Sequence, residues 1–122
     1  MKRDMDLARK IMVEIEKLSY SQILNPTDIS GHSQEEISYH IMLLDEAGLV
    51  HGINQSGVSD LYWMADRLTW NGHEFLEAAK DNTRWEKAKT IVEKSGGMVV
   101  EVLKTVLVKL VTDAALRGLG AQ

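Results

Sequence analysis

The sequence from Ser33 to Val50, SQEEISYHIMLLDEAGLV, carries signals for both ends of a helix and for the strand that follows it. Ser33, with Glu36 three residues later, has the spacing of an N-terminal capping box. Gly48 is typical of the residue that stops a helix at its C-terminus. We therefore expect a helix between Ser33 and Gly48 that leads directly into a strand at Leu49.

This predicted helix has two different faces. Residues at spacings of three and four form an apolar face, which we expect to be buried: Ile37, His40, Ile41, Leu44 and Ala47. The opposite face is expected to meet solvent or a partner, and it comprises Gln34, Glu35, Ser38, Met42 and Asp45. On the apolar face, we interpret His40 as a buried, hydrogen-bonded histidine and not as a ligand or a base.

The flanking sequence predicts three further helices and a hairpin. Apolar residues at helical spacing predict a first helix over about residues 5–19, capped by Asp4 or Asp6, and residues 29–31 are expected to be extended. Two strand patterns, around residues 49–53 and 61–64, predict a hairpin. Thr69 is placed to cap a third helix, and Thr83 with Glu86 predicts the start of a fourth.

Heptad spacing predicts a fifth helix at the C-terminal end. Its core positions are Val100, Leu103, Leu107, Leu110 and Ala114. These residues are candidates for dimerisation, because such a stripe either packs onto its own domain or pairs with a second copy.

A chain of 122 residues with 44% hydrophobic residues is the size of one domain. We expect a mainly α fold with a small β-hairpin wing (α+β). Residues 1–80 would form the domain, and residues 81–122 would form a helical extension that packs on it or pairs chains.

Two groups of residues resemble bacterial winged-helix regulators. Ser33-Gln34, Ile37-Ser38, His40, Leu44 and Ala47 to Val50 resemble the recognition helix of the arsenic-repressor family, and Leu68-Thr69-x-x-Gly72-x-x-x-Leu76 resembles the strand-to-helix exit of many winged-helix proteins. The resemblance implies a winged-helix domain with additional C-terminal helices. It also implies a DNA-binding transcriptional regulator.

A longer resemblance extends over nearly the whole chain. Its segments are residues 1–7, 35–40, 68–76 and 81–85, which are similar to an uncharacterised bacterial and prophage family of unknown function. The chain departs from the repressor pattern because the helix before the turn is missing or shortened and a clustered set of metal ligands is absent. It also carries Glu35, Glu36, Asp60 and Asp66 where DNA would approach.

The charge distribution weakens the expected DNA affinity. Residues 1–83 hold 7 Lys or Arg and 14 Asp or Glu, a balance of −7, and residues 84–122 hold 7 and 4, a balance of +3. Affinity for DNA comes largely from phosphate neutralisation, so we expect weak binding of double-stranded DNA by one copy. The candidate DNA contacts are Ser33, Gln34, Ser38, Tyr39, Met42 and Arg67. The alternative is an acidic protein-protein interaction module that does not bind DNA.

Other function classes lack their sequence signals. The chain has no cysteine, no phosphate-binding glycine loop, no metal-ligand spacing and no nucleophile elbow, so we expect a non-enzymatic protein without metal or cofactor. Charged residues interrupt its most apolar segment, residues 98–111, so we expect no membrane span and a cytoplasmic location.

Overall fold

The computed structural model describes residues 1–120, which form five helices and one antiparallel pair of strands. The elements in chain order are α1 (Met5–Glu16), α2 (Gln34–Glu46), β1 (Val50–Asn54), β2 (Trp63–Leu68), α3 (Trp70–Ala79), α4 (Asn82–Lys94) and α5 (Val100–Gly120). The predicted class, mainly α with a small β-hairpin, is confirmed. Among the described residues, none of the helices combines the length and the apolar character that a membrane-spanning segment requires. The chain divides into two compact units, Met1–Leu76 and Glu77–Gln122.

In the first unit, Asp4 both caps the start of α1 and connects it to α2. The carboxylate of Asp4 accepts hydrogen bonds from the backbone N–H groups of Asp6 and Leu7, at 2.9 and 3.2 Å, so Asp4 is the N-cap. The backbone N–H of Asp4 donates to Nε2 of His40 at 2.8 Å. This bond fastens the start of α1 to α2, against which α1 packs.

Between α1 and α2 the chain makes turns and no helix, as the sequence predicts. The extended segment expected at residues 29–31 is wrong, because this segment is a turn in which Gly31 has a φ of 89°. The extended contact lies earlier, at Leu24, whose N–H donates to the carbonyl of Ala65 at 2.8 Å and whose carbonyl accepts the Ala65 N–H at 3.1 Å. This bridge adds one residue of a third strand beside β2.

The C-terminal end of α2 sets the direction of the hairpin. Gly48 has a φ of 74°, its N–H donates to the carbonyl of Asp45, and the N–H of Leu49 donates to the carbonyl of Leu44 at 2.9 Å. This is the Schellman arrangement, in which a left-handed glycine satisfies the last helical carbonyls. The chain then enters β1, which pairs with β2 from Val50 opposite Leu68 to Asn54 opposite Trp63.

A close backbone approach fixes the start of α3. The hydroxyl of Thr69 accepts the N–H of Gly72 at 3.0 Å, which confirms Thr69 as the cap. A Cβ on Gly72 would overlap the carbonyl oxygen of Leu49, the same oxygen that accepts the N–H of Thr69 at 3.0 Å. Only glycine therefore allows α3 to begin this close to β1.

The second unit is a helical hairpin. The capping box predicted at Thr83 is wrong, because α4 begins earlier and Asp81 accepts the N–H of Arg84 at 2.7 Å. Nε of Arg84 donates to the carbonyl of Ala78 at 2.7 Å, which joins the end of α3 to the start of α4. The helices α4 and α5 pack together. The side chains that are fully buried on these two helices are Trp85, Ala88, Val92, Leu103 and Leu107.

Candidate interaction surface

Part of the surface of α2 is accessible to solvent, although the helix packs against α1 and against both strands. We call one accessible strip the outward face of α2, and it comprises Glu35, Tyr39, Met42, Leu43 and Glu46. Its two glutamates are exposed, and its three central side chains are half-buried. The outward face is thus an apolar and aromatic centre between two carboxylates.

Two polar side chains hold the hairpin against α2. The hydroxyl of Ser38 accepts the backbone N–H of Trp63 at 3.1 Å, and the carboxylate of Asp45 accepts the backbone N–H of Gly52 at 2.9 Å. Ser38 is fully buried. Its predicted place on the exposed face is therefore wrong, because the side chain is needed to satisfy a strand N–H inside the protein.

The hydrogen bonds of His40 confirm that it is a buried core histidine. The side chain is 1% exposed, and both ring nitrogens have partners. Because Nε2 accepts the N–H of Asp4 at 2.8 Å, Nδ1 carries the proton and donates to the carbonyl of Glu36 at 2.8 Å. His40 thus links α1 to α2, and its ring is edge-on to Tyr39 with the ring centres 5.9 Å apart.

An acidic cleft lies where the start of α2 meets the loop of the hairpin. It has a volume of about 430 Å³. Its lining residues are Ser33, Gln34, Glu35, Ser59, Asp60 and Leu61. Ser33 and Gln34 are exposed, and the hydroxyl of Ser33 accepts the N–H of Glu36 at 3.1 Å, which confirms the predicted cap. The cleft therefore combines a helix N-terminus with two carboxylates.

The structure does not bring Arg67 to this cleft. Arg67 is exposed on β2, and at about 3.3 Å per residue its Cα is roughly 13 Å along the strand from Trp63. It lines a separate cleft of about 480 Å³ with the end of α1 and with His73. The six DNA contacts predicted from the sequence are thus divided: Ser33 and Gln34 line the acidic cleft, Tyr39 and Met42 lie on the outward face, Arg67 is elsewhere, and Ser38 is inside.

A family comparison covers most of these elements. A model of the family described as "Hypothetical protein (DUF2513)" matches residues 2–98, from the residues before α1 into the loop after α4. The chain belongs to the DUF2513 family. A relative from Haemophilus influenzae, described as an uncharacterized protein, is 34% identical over 115 residues, which is 93% of this chain and 98% of the relative.

The family membership confirms the predicted relationship to an uncharacterised family of proteins. No solved structure matches the chain. The similarity to arsenic-repressor regulators therefore rests on the residues quoted above, and the prophage origin stays a prediction.

Sequence reasoning missed three features of the surface. Leu43 lies four residues after Tyr39, so helical spacing alone was enough to place it on the outward face. The sequence placed Asp45 and Ser38 on the same side of the helix, but it did not show that both side chains accept backbone N–H groups of the hairpin. The inclusion of Ser59 in the acidic cleft depends on the path of the hairpin loop, for which the sequence carries no local signal.

Proposed function

We propose that this DUF2513 protein is a non-enzymatic module of the winged-helix plan that binds a protein partner through the outward face of α2 and the acidic cleft. The observation that carries the proposal is the composition of this surface. Tyr39, Met42 and Leu43 form its centre, Glu35 and Glu46 flank them, and α2 contains no lysine or arginine. Aromatic residues and methionine are enriched at the centres of protein interfaces.

The charges at the start of α2 disfavour the binding of phosphate in the acidic cleft. A helix N-terminus is equivalent to roughly half a positive charge, which attracts anions. In the acidic cleft, Glu35 and Asp60 place two carboxylates beside that terminus. Two full negative charges outweigh a half positive one, so a phosphate that entered the cleft would be repelled.

The same charges define the chemistry of the proposed partner. A segment with lysine or arginine side chains complements Glu35 and Asp60, and apolar side chains next to them cover Tyr39, Met42 and Leu43. Charge complementarity of this kind raises the association rate and discriminates against acidic competitors. We therefore propose a basic, amphipathic protein segment as the ligand.

A second candidate function is DNA binding, which two observations favour. Gln34 is exposed at the start of α2, where recognition helices read bases. Lys2 and Arg3 are exposed and immediately precede Asp4, whose N–H donates to His40 of α2. In this alternative, these basic residues supply phosphate contacts that α2 lacks.

Fluorescence anisotropy with labelled double-stranded DNA, including DNA from around the protein's own coding region, separates the two functions. Our proposal predicts no saturable binding even at about 50 mM salt. The second candidate predicts binding that weakens steeply between about 50 and 200 mM salt, because phosphate contacts release counterions. Such a titration curve would contradict our proposal.

A further inference from the structure

The heptad stripe predicted on α5 is not free to pair with another helix. Leu103 and Leu107 of this stripe are fully buried, on a helix that packs against α4. Val100 and Leu110 are partly buried, and Ala114 is exposed. A helical surface with the same kind of spacing, but accessible to a partner, lies on α2 instead.

Four residues of the outward face form a narrow strip along α2. Glu35, Tyr39, Met42 and Glu46 are separated by four, three and four residues. At about 100° and 1.5 Å per residue, they lie within roughly 60° of one another around the helix axis and extend over about 16 Å along it. The strip therefore covers about three helical turns. It has a carboxylate at each end, with an aromatic ring and a thioether between them.

The helical geometry of this strip restricts the conformation of a segment that covers it. A helix has no strand edge, so an extended segment on α2 finds no row of backbone groups with which to form a β-ladder. Its own buried N–H and C=O groups would stay without partners, which is costly. A helical segment satisfies these groups internally. Spacings that alternate between four and three are also those through which helices pack against each other.

We propose that the partner segment is an amphipathic helix of about three turns that packs antiparallel on α2. This inference rests on the proposed function, which supplies the surface and the basic character of the partner. Apolar side chains in the middle of the partner helix contact Tyr39 and Met42. A basic side chain one turn before them pairs with Glu46, and basic side chains one turn after them pair with Glu35 and Asp60.

The charges at the two ends of the strip determine the direction of the partner helix. At the start of α2, Asp60 joins Glu35 in the acidic cleft. At the other end, Glu46 is exposed, whereas the carboxylate of Asp45 accepts the N–H of Gly52 in the hairpin. The more basic end of the partner therefore complements the start of α2. Basic side chains are most favourable near a helix C-terminus, where they offset the negative end of the helix dipole. A partner whose C-terminal end lies at the start of α2 runs antiparallel to it.

Fluorescence anisotropy with a labelled synthetic helix tests the proposal. The probe is an alanine-based peptide of about 16 residues, long enough to form a helix. It repeats the spacing of the strip, with leucine at the two middle positions, lysine at the two outer positions and one further lysine in its last turn. The intact protein should bind it with a dissociation constant of roughly 10–100 µM, as expected for a small, transient interface. A peptide with proline at its centre should bind at least about tenfold more weakly, because proline breaks the helix.

A charge exchange at Glu46 tests the direction. Glu46→Lys should weaken binding of the probe about three- to tenfold, because attraction at this end of the interface becomes repulsion. Glutamate in place of the outer lysine nearer the N-terminus of the probe should restore binding to this variant, whereas glutamate in place of the other outer lysine should not. Glu74→Lys is the matched control, since Glu74 is exposed on α3 of the same unit and its reversal should leave binding unchanged.

Several results of these titrations would overturn the proposal. No saturable binding of the probe, or equal binding of the proline peptide, would show that the partner is not this helix. Rescue of Glu46→Lys by the other exchange, or by neither, would contradict the antiparallel arrangement. The proposed function is tested separately, by photo-cross-linking at Tyr39 in cells. A protein adduct there would uphold the proposed function even if the peptides failed, and its absence would contradict that function whatever the peptides show.

Discussion

Ser38 illustrates how one hydroxyl can be assigned opposite roles from the sequence and from the structure. The sequence pattern places it with Gln34 among base-reading residues, whereas the structure buries it against the backbone of Trp63. A buried serine that satisfies a strand N–H contributes to the position of the hairpin on α2. Loss of the Ser38 hydroxyl should therefore affect the stability of the protein and not its recognition of a partner.

Replacement of Ser38 by alanine should destabilise the protein. The N–H of Trp63 would lose its acceptor in a part-buried setting, which costs about 1–3 kcal/mol of unfolding free energy. Urea denaturation followed by circular dichroism measures this loss. Gln34→Ala is the matched control on the same helix and should change the unfolding free energy by less than about 0.5 kcal/mol, because Gln34 is exposed. Equal stability of the two variants would contradict the role assigned to Ser38.

Reversal of the charges at Glu35 and Asp60 should weaken binding of a protein partner and strengthen binding of DNA. The double variant Glu35→Lys/Asp60→Lys should reduce protein capture in a pull-down, because it reverses the charge of the acidic cleft. It should also give the protein measurable DNA affinity at low salt, because a helix N-terminus with two lysines favours phosphate. Glu93→Lys, an exposed charge change on α4, should change neither quantity. Unchanged protein capture by the double variant would argue against the cleft.

At the level of helices and strands, the close packing of α3 against Leu49, which directly precedes β1, depends on Gly72. Alanine at Gly72 would drive a methyl group into the carbonyl of Leu49, so α3 would have to move away from the strand. We expect a loss of about 1–3 kcal/mol, as for other overpacked sites. Gly57→Ala is the control, because a Cβ there meets no atom within 4 Å, and thermal unfolding of both variants gives the comparison. A Gly72 variant as stable as the Gly57 variant would contradict the close approach.

The packing of α4 and α5 depends on leucines that the sequence left open to two uses. Leu103→Ala and Leu107→Ala should each destabilise the protein by about 2–5 kcal/mol, because both side chains are fully buried. Val108→Ala should cost much less, since Val108 is 48% exposed. Guanidinium denaturation of the three variants tests this order. If the leucine variants instead lost only dimerisation and kept full stability, these leucines would not be core residues.

Local signals were sufficient to predict the ends of several elements, but not the contacts between them. Ser33, Gly48 and Thr69 each act through neighbours a few residues away or through a backbone conformation, so their roles could be predicted from the sequence. The cap of α4 was missed because Asp81 and Thr83 are both suitable capping residues and lie only two positions apart.

The missed contacts all depend on distant parts of the chain. The burial of Ser38 requires the backbone of Trp63, which is 25 residues away in the sequence. The position of Arg67 depends on the length and register of the hairpin, which separate it from the start of α2. The sequence predicted the stripe of α5 that contains Leu103 and Leu107, but not whether this stripe packs within its own chain, where α5 contacts α4 and both leucines are fully buried.

For the molecule as a whole, the proposed partner surface lies within one compact unit. The outward face of α2 and the acidic cleft both belong to the unit Met1–Leu76, whereas α4 and α5 belong to the unit Glu77–Gln122. Partner binding and the packing of α4 against α5 can therefore be tested with separate sets of variants.

Photo-cross-linking at Tyr39 tests the proposed protein partner most directly. In cells that naturally contain the protein, the cross-linker p-benzoylphenylalanine would replace Tyr39 on the outward face or, as a control, the fully exposed Tyr20 after α1. We predict that position 39 gives a discrete protein adduct that resists nuclease and is lost in the Glu35→Lys/Asp60→Lys background, whereas position 20 gives none. A nuclease-sensitive adduct at position 39 would contradict the proposal. The same result at positions 39 and 20 would also contradict it.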